Sequence, residues 1–394
     1  MVTFSRRLMF RAAALFLVAG LAACSSTPIT GPVCTGLDDP SVPLILSTQG
    51  TAEAMQDDIA AVMAAPPVVQ ANATRRAIRS GKHILAISVG GQNGAFSSGF
   101  LTGWSERGTR PTFDIVTGAS AGALVAPVAF VGSEFDGALR RNTGIDDADI
   151  FRRRGTLAAL FSSSFFDTRP FERNVEALYS DPAFWNALTE QTTENRLLLV
   201  GATDVESGRF RRFDFARLLL ADKPIADKKR CLVEATLASA AIPGLFPPRR
   251  IGDRLYVDAG VRQSIFLDEI VEELDRSRSR ATVYLLINGT LDFSPSEVDP
   301  QLFPLISRNH EILSDEGMRS SLIRVLDRAR FRGWSLRAAA ISEMPDCDDE
   351  DGTVFSACVT EALFDHGRAL ALSDDPWLTA AQLRRALEEG RIQQ

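Results

Sequence analysis

Ser120 stands in the pentapeptide Gly118-Ala119-Ser120-Ala121-Gly122, between the stretch Phe113-Asp114-Ile115-Val116-Thr117 and the apolar run Ala123-Leu124-Val125-Ala126. A β-branched strand, a turn of small residues centred on Ser and a helix make the setting of a nucleophile elbow. The chain there turns so sharply that only Gly fits beside the Ser, and the Oγ stands clear above the sheet. Because the Ser also opens a helix, free backbone N–H groups and the positive dipole end favour negative charge developing beside it. The chemistry such a setting serves is acyl transfer.

A second stretch, Gly90-Gly91-Gln92-Asn93-Gly94, follows the strand-length apolar run His83-Ile84-Leu85-Ala86-Ile87-Ser88-Val89 and leads into helix-like residues 95–107. A phosphate-cradling loop needs Gly-x-Gly-x-x-Gly or a Lys-Ser/Thr tail. Val89 occupies the first Gly place and no such tail follows. Beside Ser120, the stretch reads instead as an oxyanion hole made of the N–H groups of Gly90, Gly91, Gln92 and Gly94. Each such donor can supply about 3 kcal/mol to a developing alkoxide.

A serine hydroxyl needs a base to take its proton, usually a His held by a carboxylate. The chain has three histidines, His83, His310 and His366. His83 opens the first strand, at the end away from the Gly-rich loop. His310 and His366 lie in stretches that read as a polar helical face and a helix end, although the order Ser, Asp, His of an α/β-hydrolase is formally available. Asp258, in Asp258-Ala259-Gly260, does follow a short strand, residues 254–257. Two arrangements therefore stand at this point: a triad with a distant His, or Asp258 acting alone.

These residues need a frame. Residues 197–204 and 282–287 read as buried strands, residues 210–213 as a strand after the Ser207-Gly208 turn, and residues 232–241 as a small-residue helix stopped at Pro243. Residues 51–64 and 267–274 read as helices, and the chain beyond residue 300 as mainly helical. Buried strands alternating with helices predict an α/β fold.

The N-terminus reads as an export signal. Residues 1–23 carry Arg6, Arg7 and Arg11 and no acid, then an apolar run too short to span a bilayer in the mature protein. Leu21-Ala22-Ala23-Cys24 is similar to the lipobox of bacterial lipoproteins, in which the Cys is lipidated after the signal is removed. Ser25 after it points to the outer membrane, and the Ser-, Thr- and Pro-rich residues up to 43 read as a tether. Loss of those three arginines moves the net charge from −7 to −10, which argues against a nucleic-acid partner.

Near the other end, Asp346-Cys347-Asp348-Asp349-Glu350-Asp351-Gly352 invites a calcium-loop reading. Aligning Gly352 with the sixth-position Gly puts Cys347 and Cys358 where carboxylates are needed, so that reading fails. In an exported protein these two cysteines are candidates for a disulfide, with Cys34 and Cys231 left free or paired.

Taken in order, the Gly-rich loop, the elbow, Ala238-Ser239-Ala240-Ala241-Ile242-Pro243-Gly244-Leu245-Phe246-Pro247-Pro248 and Asp258-Ala259-Gly260 resemble the patatin-like phospholipase family over roughly residues 84–290. The resemblance implies an α/β/α sandwich around a mostly parallel sheet. It also implies a Ser/Asp dyad of Ser120 and Asp258 working without His, cofactor or metal on fatty-acyl esters of lipids or phospholipids. Two positions depart from the pattern. Val89 replaces the first Gly of the loop, and Ala259 replaces the Gly that usually follows the Asp, which matters only if that residue needs positive φ.

The expected organisation is a signal peptide (1–23), a lipidated tether (24–43), a helical extension (44–80), a catalytic domain (81–295) and a mainly helical C-terminal extension on the same core (296–394). The expected protein is an envelope-anchored acyl hydrolase of phospholipase A or lysophospholipase type. A general carboxylesterase and a non-catalytic lipoprotein keeping the fold are the alternatives.

Overall fold

A computed structural model describes residue 34 and residues 83–141, 143–153, 166–192, 196–267, 281–293, 295, 297–348 and 353–392. The signal segment, Cys24, the tether apart from Cys34, the extension before residue 83 and the helix expected over residues 267–274, except Leu267, lie outside the described residues. The strands of the main sheet are β1 (His83–Ile87), β2 (Ile115–Ala119), β3 (Leu197–Asp204), β4 (Arg209–Asp214), β5 (Arg249–Ile251), β6 (Arg254–Val257), β7 (Thr282–Ile287), β8 (Ser335–Ala340) and β9 (Leu378–Thr379). The helices that matter below are α1 (Gly94–Glu106), α2 (Ala121–Val131), α3 (Arg169–Ser180), α4 (Ile225–Ser239), α5 (Leu302–Arg332), α6 (Ala357–Leu372) and α7 (Ala380–Ile392).

The central strands are continuous apolar runs because helices cover both faces of the sheet. Alternate residues supply the two sides. Leu85, Ile87, Val116, Leu198 and Val200 join one core with Phe96 and Phe100 of α1, Val125 of α2 and Leu232 of α4. Ile84, Ala86, Ile115, Leu197 and Leu199 join the other, with Leu322 and Val325 of α5 and Leu383 of α7. The protein is therefore an α/β/α sandwich.

The strand order is β9-β8-β7-β1-β2-β3-β6-β5, with β4 also on β3. The pairs from β8 through β7, β1 and β2 to β3 are parallel, and those of β9, β4, β5 and β6 are antiparallel. Two of these strands, β8 and β9, come from the stretch read in the sequence as mainly helical. The short runs Ser335–Ala340 and Leu378–Thr379 gain strand character from pairing with β7 and with each other. The C-terminal residues thus complete the sheet and do not merely lie on it.

Helix α6 settles on α1 at backbone distance. A Cβ at Gly99 would collide with the Phe364 carbonyl, and one at Gly103 would stand 2.5 Å from the Arg368 carbonyl oxygen. Cys347 is bonded to Cys358, and Cys34 to Cys231 of α4. Among the described residues no helix is long and apolar enough to cross a membrane.

Candidate active site

Ser120 is the single non-glycine residue with positive φ among the described residues, at φ 52 and ψ −118. Such a backbone state costs on the order of 1–3 kcal/mol and persists only where neighbours over-determine it. Here they do. A Cβ at Gly118 would collide with the Gly122 carbonyl, and one at Gly122 with the Ile87 carbonyl, so both glycines are required by close approach. The Ser120 N–H donates to Ser239 Oγ at 2.9 Å, and its carbonyl accepts from Ala123 at 2.9 Å to open α2.

The sheet brings Asp258 to this point. Strand β4 covers one edge of β3 over residues 199–204, so β6, which pairs Thr203 and Asp204, occupies the other edge. That is the edge β2 follows as far as Gly201. β2 and the antiparallel β6 thus run head to head along one side of β3, and the residues after their ends, Ser120 and Asp258, meet level with Ala202. Ser120 Oγ donates to Asp258 Oδ2 at 2.6 Å.

Asp258 is buried and held on all sides. Gly260 N–H donates to its Oδ1 at 2.7 Å, Thr203 Oγ1 to its carbonyl at 2.9 Å, and its own N–H to the Ala241 carbonyl at 2.9 Å. Burial raises the Asp258 pKa from 3.8 to about 6, against the lowering effect of the hydrogen bonds from Ser120 and Gly260. Ala259 opens a short 3-10 turn and does not have positive φ, so Ala is no strain there. At Gly260 a Cβ would stand 3.0 Å from Asp258 Oδ1 and 3.3 Å from Val89 Cγ1. The Val89 side chain therefore packs over the space that Gly260 leaves.

In the Gly-rich loop, Gly91–Asn93 form a 3-10 turn running into α1. The structure corrects the role expected of Gly94: its N–H is directed to the carbonyls of Gly91 and Gln92 within the turn, so it is no oxyanion donor. Its lack of a side chain serves packing instead, since a Cβ there would stand 2.9 Å from Ala121 Cβ. Gly91 and Gln92 open the turn, where N–H groups have no intrahelical partner, and they line the same cavity as Ser120. Gly90 lies against Asn288, which leaves no room for a Cβ.

The sequence gives no role to Asn288 or Thr203, and it marks Ser239 only as part of the 238–248 stretch. Asn288, at the end of β7, donates Nδ2–H to the Ser88 carbonyl at 3.0 Å and accepts the Ser97 N–H at 3.2 Å. Its signal is a polar residue directly after the apolar run of β7.

None of the three histidines bonds to Ser120 or Asp258. His83 Nδ1 faces the Tyr284 hydroxyl at 3.3 Å, His310 faces Ser314 at 3.5 Å, and His366 faces Ser342 at 3.3 Å. The triad open to the sequence reading is not assembled.

Ser120 opens onto a cavity of about 610 Å³, a size typical of small-molecule sites. Its walls are largely apolar: Leu124, Val125 and Val128 from α2, Phe171 and Val175 from α3, and Phe246. Arg141, Asp149, Asn174 and Asp181 add polar groups to the lining.

Residues 85–271 match the family described as patatin-like phospholipase. No curated protein matches the chain. Among solved structures the chain is similar to VipD from Legionella pneumophila, at 13% identity over 79% of this chain and 67% of that one, with a TM-score of 0.38.

Proposed function

We propose, from the match of residues 85–271 to the patatin-like phospholipase family, that the chain is a lipid acyl hydrolase with Ser120 as its nucleophile and Asp258 as its base. Ser120 Oγ attacks the ester carbonyl while its proton passes to Asp258 Oδ2. The N–H groups of Gly90, Gly91 and Gln92 receive the developing oxyanion. Collapse of the tetrahedral intermediate expels the alcohol, which takes the proton back from Asp258. Water, deprotonated by the same carboxylate, then attacks the acyl-enzyme and frees the fatty acid and Ser120.

The observation that carries this reading is the 2.6 Å bond from Ser120 Oγ to Asp258 Oδ2 beside an apolar cavity. A buried carboxylate with a pKa of about 6 is ionised at neutral pH and a better proton acceptor than an ordinary aspartate. The substrate in this proposal is a fatty-acyl ester of a phospholipid, met at the bacterial envelope where a lipidated Cys24 holds the protein. The support for that location is the lipobox-like sequence before Cys24.

Release of fatty acid from phosphatidylcholine vesicles, compared with hydrolysis of soluble short-chain esters, tests the reading. We expect vesicle hydrolysis by the wild type and none by Ser120→Ala or Asp258→Asn. Hydrolysis of soluble esters alone makes the protein a carboxylesterase, and no hydrolysis of either makes it a non-catalytic lipoprotein. For the location, Cys24→Ala is expected to leave the membrane fraction and lose palmitate labelling. Recovery of that variant in the membrane with its signal removed overturns the anchor.

A further inference from the structure

The loop that carries the oxyanion donors is tied to a part of the chain outside residues 85–271. Gln92 Oε1 accepts the backbone N–H of Ser356 at 2.9 Å. The two preceding residues are fastened as well, since the N–H groups of Val354 and Phe355 both donate to Asp147 Oδ1, at 3.1 and 2.7 Å. Ser356 caps α6 by accepting the Val359 N–H on its Oγ at 3.2 Å. The Cys347–Cys358 bond closes the chain around this short run, and α6 in turn lies at backbone distance on α1, the helix into which the Gly-rich loop leads.

Phe355 adds a second consequence. Phe355 lines the cavity that holds Ser120, with its ring centroid 6.1 Å from that of Phe151 and 6.5 Å from that of Phe246, itself a lining residue. The same three residues therefore hold the donor loop with one backbone N–H and bound the substrate cavity with one side chain.

Oxyanion stabilisation depends on donors fixed before the reaction, and a misplacement of about 1 Å can cost as much as 100-fold in rate. Glycines offer no side chains by which a loop can be held, so the grip on Gln92 matters more than an ordinary surface hydrogen bond. We propose that residues 354–356 are a clamp for the active site, with the Ser356–Gln92 bond positioning the oxyanion loop and Phe355 determining which acyl chains the cavity accepts. This inference rests on the hydrolase reading given above.

The test is steady-state kinetics on p-nitrophenyl butyrate and palmitate, with thermal melts to confirm folding. Gln92→Ala removes the acceptor and is expected to lower kcat about tenfold on both esters with KM within about twofold, because the loss falls on the transition state. Asp147→Ala is expected to lower kcat in the same way, whereas Asp147→Asn, which keeps an oxygen acceptor, stays within about threefold of wild type. Phe355→Ala is expected to change the ratio of kcat/KM for palmitate over butyrate by about tenfold. The double variant Cys347→Ser/Cys358→Ser is expected to follow Gln92→Ala in kcat, and it decides the matter where Gln92→Ala does not fold. Hydrolysis that needs Ser120 yet keeps wild-type kcat in folded Gln92→Ala or the double cysteine variant, and an unchanged ester ratio in Phe355→Ala, overturn the clamp alone. Absence of Ser120-dependent hydrolysis in the wild type, of these esters and of phosphatidylcholine vesicles alike, overturns the hydrolase reading and the clamp with it.

Discussion

Ser239 Oγ accepts the backbone N–H of Ser120 at 2.9 Å, a bond between residues 119 positions apart in the chain. Ser239 is the last residue of α4 and fully buried, so the helix that ends there supports the strained backbone of the candidate nucleophile. Ser239→Ala leaves a buried N–H without its acceptor, at about 1–3 kcal/mol. We expect a lower melting temperature and a fall in kcat of about tenfold, read by thermal denaturation and ester hydrolysis. Full activity in the folded variant shows that Ser120 keeps its conformation unaided.

The acid limb of the activity profile reports Asp258. Its carboxyl must be ionised to accept the Ser120 proton, and burial raises its pKa from 3.8 to about 6. The rate is therefore expected to be half-maximal near pH 6 and to decline below it. A limb centred near the ordinary aspartate value assigns the base to a solvated group.

The same shift has a consequence for stability. Unfolded, Asp258 ionises near 3.8, and folded near 6, so between those values the folded state holds the extra proton. Stability then falls as pH rises through this window and levels off above it, by about 3 kcal/mol for a shift of this size. Asp258→Asn lacks the effect. Melting curves from about pH 4 to pH 8 are expected to show the inactive asparagine variant gaining on the wild type up to about pH 6, then keeping a constant lead. A difference independent of pH contradicts the raised pKa.

Asn288 supports the Gly-rich turn through both ends of its amide, to the Ser88 carbonyl and the Ser97 N–H. Asn288→Ala is expected to destabilise the protein by about 2 kcal/mol and to reduce kcat. Asn288→Asp sets a carboxylate oxygen against the Ser88 carbonyl and is expected to be worse than alanine. Equal melting temperatures for the two variants rule out the donor role of Nδ2.

No histidine is expected to be essential. His83→Ala, His310→Ala and His366→Ala each keep most of the wild-type rate if the fold is intact, since none bonds to Ser120 or Asp258. Loss of activity in any one of them comparable to Ser120→Ala replaces the dyad with a triad.

What is local in this protein is legible in its sequence. Glycines at 118 and 122 around a serine announce an elbow because close neighbours in the chain dictate its sterics. The apolar runs of β1, β3 and β7 announce buried strands because a sheet covered on both faces needs them. The Asp258-Ala259-Gly260 stretch after β6 marks a carboxylate at a strand end. Tertiary structure decided which groups meet. The Ser120–Asp258 bond, spanning 138 positions, exists because β2 and β6 meet end to end on the same edge of β3, a register no local pattern reports. For the same reason Thr203 and Asn288 look like ordinary polar residues in the sequence, and nothing in the 238–248 stretch shows that Ser239 would hold the Ser120 N–H. Gly94 reads as a donor in the sequence, but its N–H is taken up by the carbonyls of its own turn. β8 and β9 acquired strand character only from their partners, and the clamp at Gln92 joins chain segments 264 positions apart. Sterics between neighbours act over a few residues, whereas a hydrogen bond is chosen by whatever the packed sheet and its helices bring within 3 Å.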